Sequence, residues 1–240
     1  MSASQSVAEI RLETGLLVLG VDTCGPTGSV ALARLEGAAA RILGQTELAG
    51  RSYSATLVGA VGELLAGHGS KLADVGAIVV VSGPGSFTGV RVGLSAVKGI
   101  AEPGQIPVVA VSRLAVLATK AGLTAAALDA HRHEVFLRLA GSDGSVREML
   151  AGAEELATLA LRPAKVGVCD DDAAALLGSA WIGTELVRCE APTAGDAIQV
   201  CLPEIVARKF ADLALLDGHY LRRSDAEIFG DPTTVKVRHV

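Results

Sequence analysis

The sequence predicts an α/β protein of two lobes, each built on a mixed sheet. Three observations carry this. Apolar runs of strand length alternate with segments of helical spacing. The chain opens on a hairpin-rich stretch. The same order, hairpins and then alternating helices and strands, is gone through roughly twice in 240 residues.

"GLLVLGV" (15–21) reads as a buried strand, "DTCGPTG" as a turn, "SVALARL" as the hairpin partner and "ARILGQTEL" as a third strand. From Ser52 to Gly67, residues Leu57, Val58, Val61, Leu64 and Leu65 recur on one helical face. Ala77–Val81 is a strand, followed by a Gly-rich loop and a helix from about Gly89 to Ala101. "IPVVAV" (106–111) is a strand, and Ser112 caps a helix over 113–121. "TAAALDA", "EVFLRLA" and "RPAKVGVC" are strands of the second half. Asp170, Asp171 and Asp172 sit where negative charge favours a helix N-terminus. Residues 195–217 read as one helix, and "GHYLRRSDAEIFGDP" as an irregular polar tail. The division that follows is a leader (1–15), a first lobe (16–112), a second lobe (113–217) and a tail (218–240).

Half the residues are apolar and only 3% aromatic, so the core must be aliphatic. A net charge of −5 argues against a protein that grips nucleic acid by itself, because such binding rests on neutralising phosphates. Cys24, Cys169, Cys189 and Cys201 contain no C-x-x-C pair, which speaks against a zinc or dithiol site. Free thiols fit a reducing cytosol. "MSASQSVAEI" lacks a signal-peptide pattern, and no apolar stretch approaches the ~18 residues of a membrane span.

The loop "SGPGSFTGVRVGL" (82–94) asks whether it cradles a phosphate. A P-loop needs Lys-Ser/Thr after its last glycine, but Val90 and Arg91 follow Gly89. A dinucleotide fingerprint needs a third glycine where Thr88 stands. Two readings remain. Gly85, Ser86 and Thr88, with Asp22 nearby in the fold, form an anion or nucleotide site at a helix N-terminus. Or the glycines permit a tight turn that brings a helix against the sheet, with Ser86 or Thr88 as a cap. Asp22 alone reads best as an acceptor for the turn amides of 24–28. His131 and His133 form an H-x-H pair that would share a strand face, but they lack a third ligand. His68, His219 and His239 show no partner, and Arg222 and Arg223 are either a solvated tail or a contact to RNA or a carboxylate.

"GSFTGVRVGLSAVKG" strongly resembles the TsaB (YeaZ) family, as do "LGVDTCGPTGSVAL" (19–32), "IPVVAVSRLAVLA" (106–118), "ALDAHRHEVF" (127–136) and, more loosely, "YLRRSDAE" (220–227). The resemblance implies an actin-like (ASKHA) fold. It also implies a cytoplasmic subunit that acts with the related catalytic protein TsaD and the ATPase TsaE, which together place a threonylcarbamoyl group on the tRNA adenine beside the anticodon. TsaD carries two histidines one helical turn apart that bind a metal; the matching positions here are Arg113 and Leu117, which cannot. The expectation is therefore a non-catalytic subunit with no metal or cofactor, meeting tRNA mainly through the complex. The alternative is an actin-like kinase or carbamoyltransferase working alone.

Two helical segments are unusually apolar: Glu63 is the only charge in 52–67, and Arg91 and Lys98 the only ones in 89–101. Val90, Leu94, Val97 and Ala101 form one stripe, flanked by Val92, Ala96 and Ile100. Interior glycines at 59, 62, 93 and 99 each cost about 1 kcal/mol against alanine, which suggests close backbone approach. Periodicity alone leaves open whether these faces are buried within the chain or against a partner. The resemblance favours an interface through Leu57, Val58, Val61, Leu65, Val90, Gly93, Leu94 and Val97, used for a homodimer in isolation and for TsaD in the complex.

Overall fold

A computed structural model describes residues 15–222 apart from 38, 51 and 142; the leader up to residue 14, Arg223 and His239 lie outside the described residues. The first sheet holds β1 (Leu17–Asp22), β2 (Thr27–Glu36), β3 (Ala39–Ala49), β4 (Val75–Val81) and β5 (Val108–Val111) in the order β3-β2-β1-β4-β5. The β1–β2 and β2–β3 pairs are antiparallel hairpins, whereas β4 and β5 join in parallel. Parallel neighbours need crossovers. These are supplied by α1 (Tyr53–Gly67), before β4, and α2 (Phe87–Gly104), before β5.

The second sheet repeats this plan. Strands β6 (Ala126–Asp129), β7 (Glu134–Ala140), β8 (Val146–Gly152), β9 (Lys165–Val168) and β10 (Glu185–Arg188) run in the order β10-β9-β6-β7-β8. Here too the first three strands are antiparallel and the last two parallel. Helices α4 (Ala153–Thr158) and α5 (Asp171–Ala180) occupy the places of α1 and α2. Asp170 caps α5, its carboxylate accepting from the Ala173 amide. The duplicated plan is the two-lobed actin-like fold.

A helix after the sheet of each half crosses to the other lobe. Helix α3 (Arg113–Lys120) packs on β6, β7 and β9, burying Leu114, Leu117 and Ala118 in a cluster with Ala126, Leu128 and Phe136. Helix α6 (Ala194–Val200) returns to the first sheet, placing Ala194, Ala197 and Ile198 in the N-terminal core. Gly20 of β1 permits this, because a Cβ there would lie 2.7 Å from the Ala194 carbonyl oxygen. Strands β1–β5 form the first sheet and β6–β10 the second, while Ala194, Ala197, Ile198, Cys201 and Ile205 pack in the core of the first.

Residues 195–217 are not one helix. Pro203 cannot continue an α-helix across Gln199, since its ring meets the carbonyl four residues back. The helix breaks at Cys201, resumes as α7 (Leu202–Val206) and gives way to a turn in which Arg208 has φ 54°. The remainder is an extended strap along the first lobe: Ala211 N–H donates to Val108 O (2.8 Å) and His219 N–H to Ser82 O (2.7 Å).

Candidate functional site

The lobes meet beside the end of β1. Asp22 is buried, and its Oδ1 accepts the Cys24 amide at 2.8 Å, the turn contact expected from sequence. Its Oδ2 accepts from Arg113 Nε at 3.3 Å, a pairing the sequence did not reveal. Arg113 is also buried. It is the first residue of α3, so its backbone opens a helix of the second lobe while its guanidinium reaches back into the first. Burial works against its charge, but the Asp22 carboxylate, through its charge and hydrogen bond, outweighs that and holds the guanidinium above its ordinary pKa. Gly25 makes room for it: a Cβ there would stand 2.9 Å from Arg113 Cζ. Leu117, one turn on, is wholly buried in the second lobe's core. Burial raises the Cys24 thiol well above its usual range, and the Tyr53 hydroxyl, which donates to Gly25 O (2.8 Å), is pushed up to about 12. The junction therefore holds one carboxylate, already matched by the chain's own cation. Among the described residues, no three His, Cys, Asp or Glu side chains gather to hold a metal ion.

The Gly-rich loop packs on this junction. Ser86 N–H donates to Cys24 O (2.8 Å), and Ser86 Oγ caps α2 by accepting the Gly89 amide (3.2 Å). The amides of Ser86 and Gly89 are thus used within the protein. Gly85, Gly89 and Gly93 lie so close to the 23–24 turn that a Cβ on each would overlap Cys24 O, Thr23 O or Thr23 Oγ1. Thr23 Oγ1 in turn donates to Gly89 O (2.7 Å). Thr88 is exposed. The loop's glycines therefore seat a helix against a turn.

The second lobe has a counterpart at Asp129. Like Asp22 it ends its lobe's first strand and accepts the amide two residues on, here His131 N–H at 2.8 Å. Both strands end in Asp in the sequence, which was the available signal. The H-x-H pair lies in the turn between the two strands: His131, Arg132 and His133 have φ of 59°, 58° and 60°. Left-handed backbone costs a non-glycine residue about 1–2 kcal/mol, and no strand face carries the two imidazoles together. His131 Nδ1 instead meets Asp129 Oδ2 at 2.7 Å.

A carboxylate absent from the sequence reading is Glu148 on β8. It accepts from Ser112 Oγ (2.7 Å), Arg138 (2.6 Å) and His219 Nε2 (2.8 Å). Burial alone would raise its pKa, but these hydrogen bonds outweigh burial and hold it below the usual carboxylate value. Ser112 and His219 converge on the acid rather than on each other, and Ser112 Oγ also accepts the Leu114 amide (3.2 Å), so this is a structural clasp rather than an activated hydroxyl. It ties the strap, the β5–α3 corner and the second sheet together.

Helices α1 and α2 pack against each other. Leu57, Val61 and Leu65 of α1, and Val90, Gly93, Leu94 and Val97 of α2, are buried in the N-terminal lobe. Val58 is 60% exposed. A Cβ at Gly59, Gly62 or Gly99 would meet nothing within 4 Å, so the close approach expected of the glycines occurs within the chain only at Gly93. No helix among the described residues is long and apolar enough to cross a membrane.

Residues 41–160 match the family described as TsaD, tRNA N6-adenosine threonylcarbamoyltransferase. The tRNA threonylcarbamoyladenosine biosynthesis protein TsaB of Haemophilus influenzae is 36% identical over 127 residues, 50% of this chain and 52% of that protein. The chain thus spans about half the length of the curated relatives it first matches. Two solved structures from Pseudomonas aeruginosa cover 86% of this chain and 100% of their own. One, described as an uncharacterized protein with similarity to peptidase YEAZ, has TM-score 0.69 and 28% identity. The other, YeaZ, has TM-score 0.67 and 26% identity. With the resemblance of the Gly-rich loop and the actin-like architecture, these place the chain in the TsaB (YeaZ) family.

Proposed function

We propose that this protein is a non-catalytic subunit in the formation of threonylcarbamoyladenosine in tRNA, pairing with a transferase of its own fold and serving with an ATPase. The carrying observation is Arg113: where the lobes of this fold meet, the chain fills the space with its own guanidinium and neutralises Asp22 with it. A phosphate or metal-bound substrate approaching there would have to displace a buried ion pair, which is costly because it leaves a charge unpaired in low dielectric.

The pairing surface in this reading is the outer side of α1 with the adjoining part of α2. Of the residues expected there, Val58 is the one that faces outward; Leu57, Val61, Leu65, Val90, Gly93, Leu94 and Val97 support it from beneath. Gly59 and Gly62 leave room beside Val58 for another backbone, and α1 carries Glu63 as its only charge. Two copies would meet through this face in isolation, and one copy and the transferase in the working complex. With a net charge of −5 the chain contacts tRNA mainly as part of that complex, in the cytoplasm.

Co-expression with the transferase and ATPase of the same cell, followed by affinity purification and a tRNA-modification assay, tests this. The chain should copurify with the transferase and support modification while forming none alone. Robust threonylcarbamoyl transfer by the chain alone would overturn it.

A further inference from the structure

A cleft of about 310 Å³ lies between α2 and the strap, away from the Asp22–Arg113 junction. Its near wall is a helical stripe: Arg91, Ser95 and Lys98 stand at i, i+4 and i+7. Its far wall is Leu216, Asp217, Tyr220 and Arg222. Arg91 is held over the Phe87 ring, 3.8 Å from its centroid, and Tyr220 leans on the other side of the corner with its centroid 4.9 Å from that of Phe87. Arg222 has its charge committed to Glu134 and also donates to His131 O (3.3 Å), which joins the cleft to the left-handed 131–133 turn. Arg91 and Lys98 have no ion-pair partner among the described residues, so the cleft presents two unspent cations next to an exposed aromatic ring.

We infer that this cleft binds a ribonucleotide unit, its phosphate between Arg91 and Lys98 and its base against Tyr220. Planar aromatic surface with flanking cations is the combination that holds nucleotides without reading their sequence. Ser95 adds a hydroxyl on the phosphate side, and Leu94 and Leu216 form an apolar floor. The same chemistry is offered by a free mononucleotide and by a nucleotide within an RNA strand. Two cations give a weak site, in keeping with an acidic chain. The inference rests on the cleft alone and not on the proposed pairing through α1.

The test uses the full chain with 5′-AMP and with a labelled hexa-adenylate RNA, followed by fluorescence anisotropy and NMR shifts. Saturable RNA binding is expected, with a log–log salt slope of about −0.7 for the one neutralised phosphate of a single strand. Arg91→Gln with Lys98→Gln, both on the helix surface, should weaken binding at least tenfold and flatten the slope while circular dichroism stays unchanged. AMP that competes with the RNA shows that a mononucleotide suffices; RNA binding without competition by AMP assigns the site to a strand. Either result supports the site. Binding by neither probe, or binding by the folded double variant with the same affinity and slope, overturns it.

Discussion

The Nε of Arg113, the first residue of α3, lies 3.3 Å from Oδ2 of Asp22, the last residue of β1, and both side chains are buried. The pair crosses the boundary between the lobes. Removing one partner strands the other in low dielectric, so Arg113→Met or Asp22→Asn should each cost about 3–5 kcal/mol. Combining the two should recover much of that loss. Urea denaturation of the two singles and the double checks it; a double variant as unstable as the sum of the singles would mean that the charges are not coupled.

Glycines of α1 and α2 should separate into two classes. Gly93→Ala drives a methyl into Thr23 Oγ1 and Gly89→Ala into Thr23 O, so both should destabilise. Gly59→Ala and Gly62→Ala meet open space and should stabilise the isolated chain by up to about 1 kcal/mol through helix propensity. Under the pairing proposal these last two should nevertheless weaken association. Thermal unfolding together with analytical ultracentrifugation distinguishes the classes.

The Glu148 clasp carries a pH dependence. Its folded-state pKa is depressed, so the unfolded chain binds the proton more readily. Its contribution is therefore present above the ordinary carboxylate pKa of 4.5 and is lost as pH falls through the folded value. Glu148→Gln should flatten the acid limb of the stability curve. The protection factor of the His219 amide, its exchange rate set against the intrinsic rate at each pH, should fall as Glu148 is protonated in the wild type and be low at every pH in the variant.

The local part of this architecture was legible in the sequence, because periodicity and turn chemistry are local signals. The β1–β2 hairpin, α1, the loop opening α2, the Ser112 and Asp170 caps and the Asp22 turn contact follow from spacing and residue type. Arg113 as a junction cation was not legible, since its partner is 91 residues away and meets it only because α3 crosses to the other lobe. The return of α6 to the first sheet depends on the same crossing. Glu148 sits in a strand whose sequence, "VREMLAG", gives no hint of three converging donors. The backbone of 131–133, between the two strands, was not legible because nothing in His-Arg-His announces three left-handed residues; glycine would have. On the helices, one apolar stripe looks the same whether it faces a sheet or a partner, so sequence marked the faces without separating inner from outer.

Val58→Glu should leave the fold intact, since the side chain is largely solvent-exposed, while placing a charge at the centre of the proposed pairing face. Val61→Glu and Leu94→Glu, by contrast, bury a carboxylate in the core and should unfold the lobe. Circular dichroism with size-exclusion chromatography reads both outcomes.

The most direct test of the subunit proposal is reconstitution of tRNA modification from purified transferase, ATPase and this chain, with threonylcarbamoyladenosine measured by mass spectrometry of digested tRNA. Modification is expected only when this chain is present, with none from the chain alone and at least a tenfold loss with folded Val58→Glu. Modification by the chain alone, or undiminished modification when it is left out, would contradict it.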